Sequence, residues 1–75
     1  MLRRDPILIS FGQKVAKCRH AKELSQEALA EMSDLDRTYL SDIERGIRNP
    51  GIKNVVRLAK ALGISTSQLV EGIDG

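Results

Sequence analysis

The chain has 75 residues, 41% of them hydrophobic, with one Phe, one Tyr and no Trp. That size and palette describe one domain with an aliphatic core, which suits packed helices better than a small β-barrel. The net charge of +2, from twelve Lys and Arg against ten Asp and Glu, is too slight to name a partner, the one cysteine excludes an internal disulfide and fits a reducing cytosol, and no apolar run approaches the ~18 residues of a membrane span. Two arginines precede a short apolar patch at the N-terminus, but no small-residue cleavage site follows, so no signal peptide is expected.

Residues 1–5 read as an arm, and residues 6–75 as a single helical domain. Asp5 is a helix cap with Pro6 at the first helical position, where a missing N–H does no harm. Ile7, Phe11, Val15 and Cys18 then recur at helical spacing, which predicts a first helix over 6–22. Three later starts share one pattern. Leu24, Ser25 and Leu29, then Leu35, Asp36 and Leu40, then Ile64, Ser65 and Leu69 each place a capping oxygen between two apolar staple residues. They predict helices over 25–32, 36–45 and 65–71, the last strengthened by a capping box with Gln68. Ile52, Val55, Val56, Ala59 and Leu62 form the stripe of a helix over 52–62. Gly46 and Gly63 are natural residues to end the third and fourth helices. The fold class is therefore all-α, with five helices.

Only Ser33, Asp34, Leu35 and the cap Asp36 separate helices two and three, which makes the pair a helix-turn-helix. The turn lacks glycine, so Ser33 or Asp34 must take the strained position, and Asp tolerates the left-handed region better than most residues.

At about 100° per residue, with Arg37 at zero, Tyr39, Leu40 and Ile43 fall at roughly 200°, 300° and 240° and form the buried side of helix three. Arg37, Ser41, Arg45, Thr38 and Asp42 spread over about 0° to 140° on a wholly polar side. For an arbitrary helix, plain solvation explains such a face. Two features point elsewhere. Arg37 sits at the positive end of the helix dipole, where acidic residues are preferred. Ser and Thr are mediocre helix formers that a solvated face would replace with Glu, Lys or Ala. Arg can pair with guanine N7 and O6, and Thr can meet a thymine methyl or a base edge, so this end of the helix fits a major groove.

The stretch "LSQEALAEMSDLDRTYLSDIERGIRNPGIKNVVRLAKALGIS" resembles the helix-turn-helix domain of the phage repressor and Cro type, also called the xenobiotic-response-element type. The likeness spans residues 10–71. Within that family it is nearest to the controller proteins of restriction–modification systems, many of which carry "LDRTYLS.IERG.RN" almost as written here. The resemblance implies a lambda-repressor-like domain that binds a palindromic operator in double-stranded DNA as a homodimer, with helix three in the major groove. It implies a cytoplasmic, nucleoid-associated regulator of a prokaryote or phage. A controller that activates at one occupancy and represses at another is the favoured version. A phage or mobile-element repressor comes next, and an antitoxin or adaptor module that binds protein is the alternative of another class.

By motif position the resemblance makes Arg37, Thr38, Ser41 and Asp42 the candidate base contacts. Gln26, Arg48 and Asn49 become backbone contacts, with Arg45 and Lys53 as weaker ones, and Arg19 and Glu44 an internal salt bridge. Asp42 opposes phosphate; it accepts from a cytosine amino group, orients Arg37 or Arg45, or is a solvated charge. Many repressors place glutamines where Arg37 and Thr38 stand, so their operators do not transfer.

Val70 and Ile73 lie beyond what a five-helix core needs. With Leu69 and part of helix four they suggest a twofold contact, as this region forms in the family; the other reading folds them back onto helix one. Cys18 and His20 are two apart on one helix and do not face each other, so no nucleophile pair or metal site is expected. No enzyme activity, cofactor or small-molecule ligand is expected. Arg3 and Arg4 are either an arm that touches DNA or a frayed end.

Overall fold

The computed structural model describes residues 4–73, so Arg3 of the expected arm lies outside the described residues. The helices are α1 (Pro6–Ala21), α2 (Gln26–Ser33), α3 (Arg37–Glu44), α4 (Gly51–Ala61) and α5 (Thr66–Val70), with no strand among the described residues. None of these helices is long and apolar enough to cross a membrane.

Four starts are held by the caps that the sequence predicts. Asp5 Oδ1 accepts from the Ile7 N–H at 2.9 Å, Ser25 Oγ from Ala28 at 3.0 Å, and Asp36 Oδ1 from Thr38 at 2.8 Å. Ser65 and Gln68 form the full capping box. These bonds satisfy orphan N–H groups at each first turn.

Four helix ends share one closure. The N–H of Leu24, Leu35, Ile47 and Ile64 reaches back to the carbonyl of Arg19, Ala30, Asp42 and Ala59, at 3.1, 2.8, 3.1 and 3.0 Å. This six-to-one bond is the Schellman motif, and it needs a left-handed residue just before the donor. Those residues are Glu23, Asp34, Gly46 and Gly63, with φ of 55°, 58°, 77° and 71°. Asp34, not Ser33, takes the strain of the helix-turn-helix. Ser33 is buried and donates its hydroxyl to the Leu29 carbonyl at 2.6 Å. Leu24, Leu35 and Ile64 each close one helix and staple the next, so one apolar residue governs both sides of a turn.

The core is Phe11, Val15, Leu29, Ala30, Leu40, Ile43, Val55, Leu58, Ala59, Leu62 and Leu69. α3 packs against α1 and α2, α4 against α2 and α5, and α5 against α1. The α1–α3 crossing depends on Gly12: a Cβ there would meet the Glu44 carbonyl oxygen at 2.7 Å and the Ile43 oxygen closer still. Gly46 lies against the Ile9 backbone in the same way: a Cβ there would fall 2.7 Å from the Ile9 Cα.

Three expectations need correction. Leu69 is fully buried as the inner staple residue of α5, so it belongs to the core and not to a dimer surface. Ile7, on the first turn of α1, is 49% exposed. The buried stripe of α4 is Val55, Leu58, Ala59 and Leu62, at helical spacing; Val56 lies about 100° off it and is exposed, as is Ile52 on the first turn.

Candidate nucleic-acid interface

The polar side of α3 faces away from the core. Arg37 and Thr38 are exposed at its N-terminal turn, and Ser41 and Asp42 are half-buried one turn later. Among the described residues the Arg37 side chain makes no ion pair. Arg37 and Thr38 are consecutive exposed residues at the start of the helix.

α3 is anchored from behind. Arg19 and Glu44, the pair that the resemblance implies, meet through two bonds: Nε to Oε2 at 2.8 Å and Nη2 to Oε1 at 2.9 Å. Arg19 Nη1 also donates to the Leu24 carbonyl at 2.9 Å. The hydrogen bond to Glu44 raises the Arg19 guanidinium above its already high range, against the opposing effect of burial. Gln26 Nε2 donates to the same Glu44 oxygen at 3.0 Å. One carboxylate therefore ties α1, the start of α2 and the end of α3 together. Gln26, which the resemblance made a backbone contact, is turned inward by that bond and keeps its second amide N–H free of partners among the described residues.

The loop between α3 and α4 carries Arg48 and Asn49, both exposed. Asn49 Oδ1 accepts from the Gly51 N–H at 3.2 Å, which leaves its amide nitrogen as a donor to solvent. Lys53 is exposed on the next turn. Tyr39, half-buried on the inner side of α3, also does polar work that helical spacing does not reveal. Its hydroxyl donates to the Pro50 carbonyl at 3.1 Å and accepts from Asn54 Nδ2 at 3.1 Å. Asn54 also donates to Pro50, and Arg57 donates to Asn54 Oδ1. Arg48 lies over the Tyr39 ring, 5.1 Å from its centroid. The signal was present: a tyrosine at the border of a helix face usually finds a partner for its hydroxyl.

Arg45 and Arg48 both approach Asp42, at 3.6 and 3.9 Å. Arg37, Thr38, Ser41, Arg45 and Arg48 thus lie on α3 and the loop that follows it, with Gln26 behind them at the start of α2. A convex helix end flanked by a cationic loop fits a groove lined by phosphates.

A helix-turn-helix family model matches residues 15–69. Control protein C.BamHI of Bacillus amyloliquefaciens is 48% identical over 66 residues, covering 87% of this chain and 82% of its own. The chain belongs to the controller proteins of the helix-turn-helix family. The structure of the restriction–modification controller C.AhdI from Aeromonas hydrophila matches with a TM-score of 0.81 and 48% identity, over 83% of this chain and 94% of that one. Controller C.Esp1396I, solved as a tetramer on its natural 35-base-pair operator, matches with a TM-score of 0.85 and 37% identity, over 93% and 92% of the two chains.

Proposed function

We propose that this protein is a restriction–modification controller, a transcriptional regulator that binds a palindromic operator as a homodimer. One observation carries the reading: the first turn of α3 presents Arg37 and Thr38 outward on a helix locked to the other two by a single carboxylate. That is a rigid reading head, and its side chains are those that discriminate base edges. Arg37 and Thr38 read bases, with Ser41 behind them. Gln26, Arg48, Asn49, Arg45 and Lys53 hold the backbone on either side. The likeness to the operator complex of C.Esp1396I supports cooperative loading of two dimers. The subunit contact is formed by Val70 with the exposed Ile52 and Val56 of α4, while Leu69 and the half-buried Ile73, packed against the core, support it from behind. The chemistry is recognition, with no catalytic role, and the protein works on the nucleoid in the cytoplasm.

Selection of bound sites from random duplex DNA tests this directly. A twofold-symmetric site with half-sites about one DNA turn, ~34 Å, apart is expected. Failure to enrich any sequence would sink the proposal, and binding to duplex DNA without enrichment would sink its sequence-specific part.

A further inference from the structure

Asp42 is an anion on the face that meets phosphates. Its side chain is 22% exposed, and each oxygen faces a different guanidinium: Oδ1 lies 3.6 Å from Arg45 Nη1, and Oδ2 lies 3.9 Å from Arg48 Nη2. Arg45 ends α3, whereas Arg48 comes from the loop and rests on the Tyr39 ring, whose hydroxyl is bonded to Pro50. The carboxylate therefore sits between two cations from different segments, one of which lies over a fixed aromatic plane.

We propose that Asp42 is a positioning residue that sets DNA specificity: it acts as an internal counter-ion for Arg45 and Arg48 and makes their transfer to phosphates depend on a fitted duplex. This rests on the DNA-binding reading above. Binding to arbitrary DNA comes almost wholly from neutralised phosphates. There, Asp42 removes one charge from the footprint and competes with phosphate for two arginines. On a fitted site, the base contacts of Arg37 and Thr38 seat the helix. Both guanidinium groups then reach phosphates at contact distance, which outweighs pairs as long and exposed as these. Asp42 thus lowers non-specific affinity more than specific affinity, and specificity is that difference.

The test is Asp42→Asn in the full chain, an isosteric change that removes the charge. Affinity is measured by fluorescence anisotropy over a salt series, on a random-sequence duplex and on a duplex enriched from a random pool. The expected result is a gain of about 3- to 10-fold on the random duplex and a salt slope steeper by up to ~0.9 per released arginine. The ratio of enriched to random affinity falls, Asp42→Glu keeps the wild-type ratio, and the gain shrinks in an Arg48→Gln background. A loss confined to the enriched duplex, with random affinity and slope unchanged, overturns the proposal in favour of a direct base contact. No change on either duplex overturns it in favour of a solvated charge, and a gain undiminished by Arg48→Gln removes the positioning role. Wild-type protein that binds neither duplex at low salt overturns the DNA-binding reading, and this inference with it.

Discussion

Glu44→Ala isolates the joint that aims the recognition helix. Glu44 accepts three bonds at 2.8 to 3.0 Å, two from Arg19 and one from Gln26. The side chains of the ion pair are 10% and 6% exposed, so solvent cannot replace the lost partner freely. Hydrogen bonds to charged groups contribute ~1.5–3 kcal/mol each, but these three share one carboxylate and do not add. Removing one member of a buried pair costs ~3–5 kcal/mol. Arg19 keeps its bond to the Leu24 carbonyl, which places the expected loss at the lower end, about 3 kcal/mol. A domain of this size has only ~4–11 kcal/mol in total. The melting temperature should fall by roughly 12–24 °C, followed by circular dichroism at 222 nm. Arg19→Met with Glu44→Leu should recover most of that loss, because an apolar pair of similar volume removes the orphaned charge along with its partner. Urea unfolding of the wild type, Arg19→Met, Glu44→Leu and the double variant closes the cycle. A loss below about 1 kcal/mol for Glu44→Ala would refute the reasoning, since it would place the pair among ordinary surface bridges. The raised Arg19 ionisation adds a sign. Its contribution is present below the ordinary arginine range and is lost only as pH rises through a still higher value, so stability from this group should be flat across neutral pH.

Gly12→Ala should destabilise by about 1–3 kcal/mol or more in urea unfolding, because the new Cβ meets the α3 backbone, which cannot rotate away; an unchanged midpoint would show that α1 can slide. Arg37→Ala should lower affinity for the enriched duplex by ~1–3 kcal/mol and relax one operator position, while unchanged binding in a gel-shift series would remove Arg37 from readout. Ile52→Asp places a charge on an apolar residue that is 72% exposed, so it should leave the melting temperature within a few degrees yet shift sedimentation from dimer to monomer; a dimer of normal strength would exclude this face from the interface. Glu23→Gly should stabilise by up to ~1 kcal/mol, because the residue holds a φ of 55° that costs a side chain energy; destabilisation on melting would mean that the unfolded-chain entropy of glycine wins.

Helix starts were legible because a cap is local: Ser25, Asp36 and Ser65 act on N–H groups two or three residues away. Helix ends were half legible. Gly46 and Gly63 announce the left-handed residue, whereas Glu23 adopts it only because Leu24 must reach both the Arg19 carbonyl and the staple of α2. Leu69 misled for a related reason: near a chain end it suggests a surface, but as a staple residue it is drawn into the core. On α4, Ile52 and Val56 satisfied helical spacing as well as Leu58 did, and only the position of α2 decides which edge is covered. The exposed polar turn at Arg37 and Thr38, where the proposed function puts base readout, was visible because both choices run against the helix dipole or helix propensity. On its flank Arg48 and Asn49 were named through the resemblance, but the partner of the Tyr39 hydroxyl was not legible, since it is a carbonyl eleven residues later.

These differences share a cause. Backbone punctuation acts over a few residues, but each of Leu24, Leu35 and Ile64 serves two helices at once. A change at any of them alters the end of one helix and the start of the next together. The angle between α2 and α3 is therefore set mainly at Asp34 and Leu35, and the Glu44 joint then clamps the far ends. Under the proposed function recognition needs both, because a reading side chain displaced by an ångström misses the base edge it is built to meet. Leu35→Ala should consequently weaken specific binding by more than its loss of stability explains. The check is the affinity ratio of enriched to random duplex at a temperature where circular dichroism shows the variant fully folded. A ratio equal to wild type would mean that Glu44 alone sets the angle.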